Sequence, residues 1–381
     1  MEISSEKLYH IIEGAALLGS GGGGNKAAAY ALLNYIVETA PSGKVQLLSA
    51  DDHPFDSSAM GCVIADIGAN SAKEEKQFEA IATAFNELSL QMQRTVGPSL
   101  AFVLPIETGP ENSMVPFVVA AHYGIPVLDI DGAGRAVPVL PLATFSELPS
   151  CPAVIANDKG DFILLQIDKV GDLDSMLRPI TGSALFGNSG SLALWPSRID
   201  SLLKHAVKNS LSYAMACGEL IDCLQKGLQI APVCLSFVNE RKACLLGQGR
   251  VQSIQSKEDG AFDYSQVVIH DVLTDTKISV LVQNESLILY NSNQPGPMLT
   301  APASIGYLKA DGSAITNAEI KQGDEVFVLA IDAYEVLKQP ERLRLFKEQL
   351  EEFAYFGELK YQLPSEEGLA DLLVRLIHIP V

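Results

Sequence analysis

The chain has six cysteines among its 381 residues (Cys62, Cys151, Cys217, Cys223, Cys234 and Cys244) and no Cys-x-x-Cys pair. Thiols scattered in this way read as reduced and mostly buried, not as a disulfide framework. Cations are scarce: 27 lysines and arginines face 46 aspartates and glutamates, a net charge of −19. So acidic a surface repels nucleic acid and anionic membrane, and both are set aside as partners. No apolar run reaches the roughly 20 residues that span a bilayer. The opening MEISSEKLYH lacks the basic start and apolar core of a signal peptide. A cytoplasmic protein is expected. The six histidines form no His-x-His or His-Glu-x-x-His pattern, so no metal-hydrolase motif is present. No internal repeat or low-complexity segment is evident.

Hydrophobic residues make up 48% of the chain and charged ones 19%, the profile of a well-buried protein. Its length predicts two domains. Ser4 or Ser5 caps a first helix with Leu8, Ile11, Ile12 and Ala15 on one face, ending at Leu18-Gly19. Gly19-Ser20-Gly21-Gly22-Gly23-Gly24-Asn25 follows, then a second helix to about Thr39. Free backbone N–H groups opening a helix suit a carboxylate, a phosphate or a ring carbonyl. Two named glycine motifs fail here. A Walker loop needs Gly-Lys-Ser/Thr where Gly24 is followed by Asn25-Lys26-Ala27, and a dinucleotide fingerprint needs a preceding strand.

Strands at 45–48, 62–68, 100–104 and 125–130 alternate with helices at about 73–90 and 115–123. This predicts an α/β layered domain with a largely parallel sheet. Past Pro149 come a strand at 162–167, a small glycine-rich stretch at 182–191 and a long helix from Ile199 to about Leu224. Short strands follow at 243–246, 249–254, 266–270, 278–282, 287–290 and 325–330, a barrel-like or sandwich-like module by spacing. Gln283-Asn284-Glu285-Ser286 sits between two of these strands, as a functional or merely polar turn. Helices near 341–353 and 366–377 close the chain. The expected domains are 1–165, with the glycine loop and the acidic motifs, and 166–381, β-rich with helices.

The stretch IPVLDIDGAGRAVPVLPL (125–142) organises the first domain. A buried strand carries Asp129 and Asp131, breaks at Gly132-Ala133-Gly134 and is followed by Arg135. Open α/β sheets place ligand chemistry at such strand ends. The loops after successive strands bring Glu107, Glu111, Asn112, Asp129, Asp131 and Arg135 to one edge, and one concave site shared with Gly21–Gly24 is expected.

LLGSGGGGN (17–25), IETGPENS (106–113), PVLDIDGAGRAVPVL (126–140) and VQNESL (282–287), in that order, resemble the S-methyl thiohydantoin desulfurase-like family. That family was long catalogued as a domain of unknown function and is often associated with hydantoin-utilising genes. The resemblance spans most of the chain. It implies an N-terminal three-layer α/β/α domain and a C-terminal domain with a β-barrel-like core. It also implies hydrolytic removal of methanethiol from an S-methyl thiohydantoin to leave a hydantoin. Two positions depart from the family pattern and bear on substrate. Gly109-Pro110-Glu111-Asn112 has one glycine where members usually have two, and Leu140 stands where an acid is common.

Displacing a thiolate from a ring carbon between two nitrogens needs an activated water, a proton for the leaving group and a place for negative charge. Asp129 or Glu107 is the expected base, with Asp131 positioning it. Arg135 would hold an anionic substituent or ring oxygen. The amides of Gly21, Gly22, Gly23 and Gly24 would form a neutral cradle, with Asn25, Glu111 and Asn112 completing the binding set. No cofactor is specified. A divalent metal is the alternative, with His122 and His53 (beside Asp51 and Asp52) as its ligands. The partner is a small-molecule substrate, and the apolar composition also suits a homo-oligomer. A non-catalytic ligand-binding or partner subunit of a hydantoin-processing system is the competing class.

Overall fold

The computed structural model describes residues 1–68, 77–97, 99–259 and 262–377. Its strands begin with β1 (Glu2–Ile3), β2 (Val45–Leu48), β3 (Met60–Gly68), β4 (Leu100–Pro105), β5 (Val127–Leu128), β6 (Ile130–Asp131), β7 (Ala153–Ala156), β8 (Phe162–Leu165) and β9 (Ser189–Arg198). Helices α1 (Ser5–Leu18), α2 (Lys26–Thr39), α3 (Gln77–Thr95) and α4 (Val115–Tyr123) separate the earlier ones. The expected start of α3 near residue 73 lies outside the described residues. Ser4 caps α1 by accepting from the Lys7 N–H, and the Asn25 side chain caps α2 through the Ala28 N–H at 2.8 Å.

β3 and β4 are buried on both faces, so their alternate residues part between two cores. Cys62, Ile64 and Val103 pack on one side with α2, α3 and α4. Val63, Ala65, Phe102 and Leu104 pack on the other, with α5 (Val170–Thr181) and α6 (Ile199–His205). A strand apolar in both directions needs a layer on each face.

The sheet is mixed and not largely parallel. Its order is β1-β2-β5-β4-β3-β9-β7-β8. β2, β5, β4 and β3 run parallel, whereas β9 lies antiparallel to β3, and β7 and β8 extend the sheet antiparallel beyond it. Apolar periodicity marks a strand but carries no sign of its direction, so the return of β9 was invisible. The sheet also takes in Ser189–Arg198, past the boundary expected at residue 165.

The helix expected from Ile199 to Leu224 is two helices, α6 and α7 (Ser210–Lys226). Between them β10 (Val207–Lys208) pairs with β6, and Asn209 takes a left-handed φ of 59°. Asp129 causes the restart. Its Oδ1 accepts from the N–H groups of Leu211 (2.9 Å) and Ser212 (3.1 Å), its Oδ2 accepts from the Ser212 hydroxyl, and its carbonyl accepts from Asn209 N–H. A carboxylate at a helix N-terminus satisfies free donors and meets the positive end of the dipole.

Helix α8 (Pro232–Val238) leads into the second sheet, formed by β11 (Lys242–Asp259), β12 (Phe262–Asp271), β13 (Thr276–Gln283), β14 (Glu285–Asn291), β15 (Pro297–Thr300), β16 (Ser304–Lys309), β17 (Ala314–Ile315) and β18 (Glu325–Ile331). The order is β15-β14-β13-β12-β11-β18-β16-β17, antiparallel throughout. Among the described residues the path stays open at β15 and β17, so the barrel-like expectation resolves to a large antiparallel sheet with no closed barrel. β11 replaces two expected short strands. Register shifts between Leu245 and Gly247 and between Val251 and Ser253 reset its apolar alternation, which made one bent strand read as two. Helices α9 (Pro340–Leu350) and α10 (Leu369–Ile377) complete the chain. Among the described residues no helix is long and apolar enough to cross a membrane.

Replacing Asp129 by alanine strands the first N–H groups of α7 in a buried setting. Urea unfolding should show a loss of about 2–4 kcal/mol in stability.

Candidate active site

Three loops that are far apart in sequence meet at the glycine run. Ser20 Oγ donates to the Ser286 carbonyl (2.9 Å) and accepts from Ile305 N–H (3.0 Å), and the Ser20 carbonyl accepts from Ser286 N–H (2.7 Å). The Gly21 carbonyl accepts from Asn317 N–H (2.8 Å), and that of Gly23 accepts from Glu111 (3.1 Å) and Asn112 (3.2 Å). The run therefore sutures the loop after β4 to the second sheet. A Cβ on Gly22 would overlap Glu285 Oε1, and one on Gly24 would overlap Glu111 Oε2. The glycines are needed because protein crowds them from both sides.

Beside this suture lies a cleft partly open to solvent. Gly23 and Gly24, Asp66 at the end of β3, Glu107 and Asn112 after β4, Arg178 from α5 and Glu285 from β14 line it. Glu107 is buried. Its Oε2 accepts from Val137 N–H (2.7 Å) and its Oε1 from Asn112 Nδ2 (2.7 Å). Asn112 Oδ1 in turn accepts from Asp66 N–H (2.8 Å), and Asp66 Oδ1 accepts from the Ser191 hydroxyl (2.5 Å). From the opposite wall, Glu285 Oε1 accepts a long bond from Gly23 N–H (3.3 Å), while the buried Oε2 has no hydrogen-bond partner among the described residues. Arg178 pairs with Asp174 at 2.9 Å, donates to the Pro138 carbonyl and lies 4.1 Å over the Phe262 ring. Its Nη1 makes no hydrogen bond among the described residues.

Burial dominates the acid–base character of the cleft. It pushes Glu107 up to about 7, against the Val137 and Asn112 donors and the Arg135 charge, with Asp131 adding to the rise. Glu285 stands well above the usual carboxylate range, first from burial and then from the negative charge of Glu107. Both carboxyls are thus shifted toward their protonated forms. The two groups line the same cleft, and the charge of Glu107 adds to the proton affinity of Glu285.

Residues 6–167 match the family model described as "S-Me-THD-like, N-terminal domain", and residues 168–362 match "S-Me-THD-like, C-terminal domain". The chain belongs to the S-Me-THD-like family. The crystal structure of a protein from Chromobacterium violaceum superposes with a TM-score of 0.77 at 29% identity, covering 94% of this chain and 99% of that one. No curated protein matches the chain.

In this S-Me-THD-like chain, the expected site residues separate into two groups. Gly23, Gly24, Glu107 and Asn112 line the cleft; Gly21, Gly22, Asn25, Glu111, Asp129, Asp131 and Arg135 do not. Asp129 is spent on α7. Asp131 shapes the turn after it, accepting from Ala133 N–H (3.1 Å), Gly134 N–H (2.7 Å) and Thr108 Oγ1 (2.5 Å). Burial raises its pKa to about 7. Glu111 is buried under Gly24, and Asn25 caps α2.

Arg135, 1% exposed, donates to the carbonyls of Ala136, Pro302, Ala303 and Ser286 at 2.8–3.3 Å. It grips the second sheet's backbone and not the cleft. The anion cradle also contracts: Gly22 N–H bonds the Gly19 carbonyl and Gly23 N–H bonds Glu285. His122 meets Tyr35 on the exposed side of α4 (3.2 Å), and His53 lies beside Phe55. Among the described residues no three metal-ligating side chains converge.

Asp66, Arg178 and Glu285 are the residues that the sequence reading left out of the site. A lone acid in the apolar run Cys62–Gly68 was a usable signal for Asp66, and the polar QNES turn was one for Glu285. Arg178 sits on an ordinary amphipathic helix and gave none.

Arg135→Lys removes a planar fork that one ammonium cannot replace. Stability should fall by on the order of 1–3 kcal/mol in denaturant titrations. Asp131 supplies a pH test. Its folded pKa of about 7 lies above the unfolded value of about 4, so the folded state holds the extra proton between those limits. Its contribution is complete below about pH 4 and is lost as pH rises through about 7. Urea unfolding from pH 5 to 7.5 should show a smaller decline in Asp131→Asn than in the unmodified chain.

Proposed function

We propose that the cleft hydrolyses a small cyclic amide of the hydantoin class, removing methanethiol from an S-methyl thiohydantoin. Family membership supports the substrate class. The observation that carries the reaction is the buried pair Glu107 and Glu285, drawn from opposite walls, with one Glu285 oxygen in the cleft that has no partner among the described residues.

The reaction begins with Glu107 ionised and Glu285 protonated. Glu107 takes a proton from water as the oxygen bonds to the ring carbon bearing sulfur. Glu285 protonates the ring nitrogen that receives the C=N electron pair. As the tetrahedral carbon collapses, its hydroxyl proton passes to Glu285, the C–S bond breaks and Glu107 delivers its proton to sulfur. A hydantoin and methanethiol leave, and both carboxyls return to their starting states. Asn112 is a positioning residue, holding Glu107 against the end of β3. Arg178 offers its free Nη1 to a ring carbonyl or a carboxylate substituent. The reaction is assigned to the cytoplasm, in keeping with six cysteines that form no disulfide.

A thiol-reactive dye tests this directly with a panel of S-methyl thiohydantoins. Glu285→Gln keeps a carbonyl oxygen for Gly23 N–H, so it should melt close to the unmodified chain while turnover falls by about a hundredfold or more. Glu107→Gln should lose turnover to a similar degree. Ligand-induced rise in melting temperature with no thiol released would overturn the hydrolase reading in favour of a binding subunit.

A further inference from the structure

A second cavity, partly open to solvent, lies among Asn209, Tyr213, Phe237, Arg241 and Tyr334, with none of its lining shared with the cleft. Arg241 is its central feature. The residue is 8% exposed and makes no ion pair among the described residues. Nη2 donates to the Asp332 carbonyl (2.5 Å) and Nη1 makes a long bond to the Gly134 carbonyl (3.5 Å). The other N–H groups of the guanidinium have no acceptor among the described residues. A guanidinium withdrawn from water with most of its fork unused is costly unless something anionic completes it.

The walls say what kind of anion. The guanidinium carbon lies 4.4 Å from the Tyr334 ring centre and 5.8 Å from that of Tyr213, and Tyr213 meets Phe237 edge-on at 5.4 Å. Two aromatic rings flank the cation and a third, Phe237, lines the cavity beside Tyr213, a setting that suits a flat ligand. The charge balance favours a single negative charge. Asp332 and Glu335 in the lining are both engaged by Lys338 (2.7 and 2.8 Å), and Lys208 is engaged by Asp51 (2.7 Å). Glu240 is exposed and opposes a dianion. The side chains of Asn209 and Tyr334, both half-buried in the lining, make no hydrogen bond among the described residues and add polar contacts at the rim.

We propose that this cavity is a binding site for a small planar monocarboxylate, held by the Arg241 fork and stacked among Tyr213, Phe237 and Tyr334. It stands independently of the hydrolase reading.

Benzoate is the probe, titrated calorimetrically into the full chain beside its neutral isostere benzamide. Saturable benzoate binding is expected, with benzamide weaker by about tenfold or more. Arg241→Gln should abolish benzoate binding, and Phe237→Ala should weaken it by about fivefold or more. Glu285→Gln should leave it unchanged. Equal affinity for benzamide, undiminished binding by a folded Arg241→Gln, or loss of binding in Glu285→Gln would overturn the proposal, the last by placing benzoate in the cleft. Where Arg241→Gln does not fold, Phe237→Ala decides: full benzoate affinity in that variant overturns the site.

Discussion

Arg135 lies buried across the seam between the two sheets, and its guanidinium donates to four backbone carbonyls, three of them on the second sheet's side. The carbonyls of Pro302, Ala303 and Ser286 are thereby fixed, and Ser286 carries Glu285 with it. The same charge lies close enough to Glu107 and Glu285 to lower the cost of ionising either one. Burial still lowers the guanidinium's own pKa to about 10, so it stays charged at neutral pH. One cation thus holds the walls together and moderates the acids between them. The glycine run works at the same seam from the other side, where absent side chains let Glu285 and Glu111 approach the backbone.

How the acids divide their tasks follows from where each strand ends. Glu107 stands one residue beyond Ile106, after a strand buried on both faces, and the next donors it meets are Val137 and Asn112. Asp129 and Asp131 stand at the neighbouring strand, but the chain turns there: local N–H groups claim Asp131, and the start of α7 claims Asp129. Asp129 and Asp131 each accept from two backbone N–H groups and a hydroxyl, whereas Glu107 accepts from one backbone N–H and the Asn112 amide at the edge of the cleft.

Much of this was legible in the residues. The buried strands and the helices after them follow from apolar periodicity. Glu107 and Asn112 were found because they follow a strand whose end is a natural place for chemistry. What the residues could not distinguish was a ligand from a neighbouring piece of protein. Arg135 after two glycines fits a substrate clamp as well as a clamp on backbone carbonyls 150 or more positions away. The glycine run likewise fits an anion cradle or a seat for Glu285. Glu285 faces Glu107 from the second sheet only through the fold, so no local pattern ties the two together. β11 hid itself differently, through bulges that shift which residues face the core.

Because Glu107 and Glu285 owe their high proton affinity to burial between two walls, their protonation is coupled to the closeness of those walls. Parting the sheets would rehydrate both carboxyls, return them toward ordinary acidity and release a proton to a neutral medium. Acidification would favour the closed form by the same linkage. The closeness of the two walls and the protonation of the carboxyls between them are therefore one linked property of the fold, and separating the walls costs most where the medium is acidic.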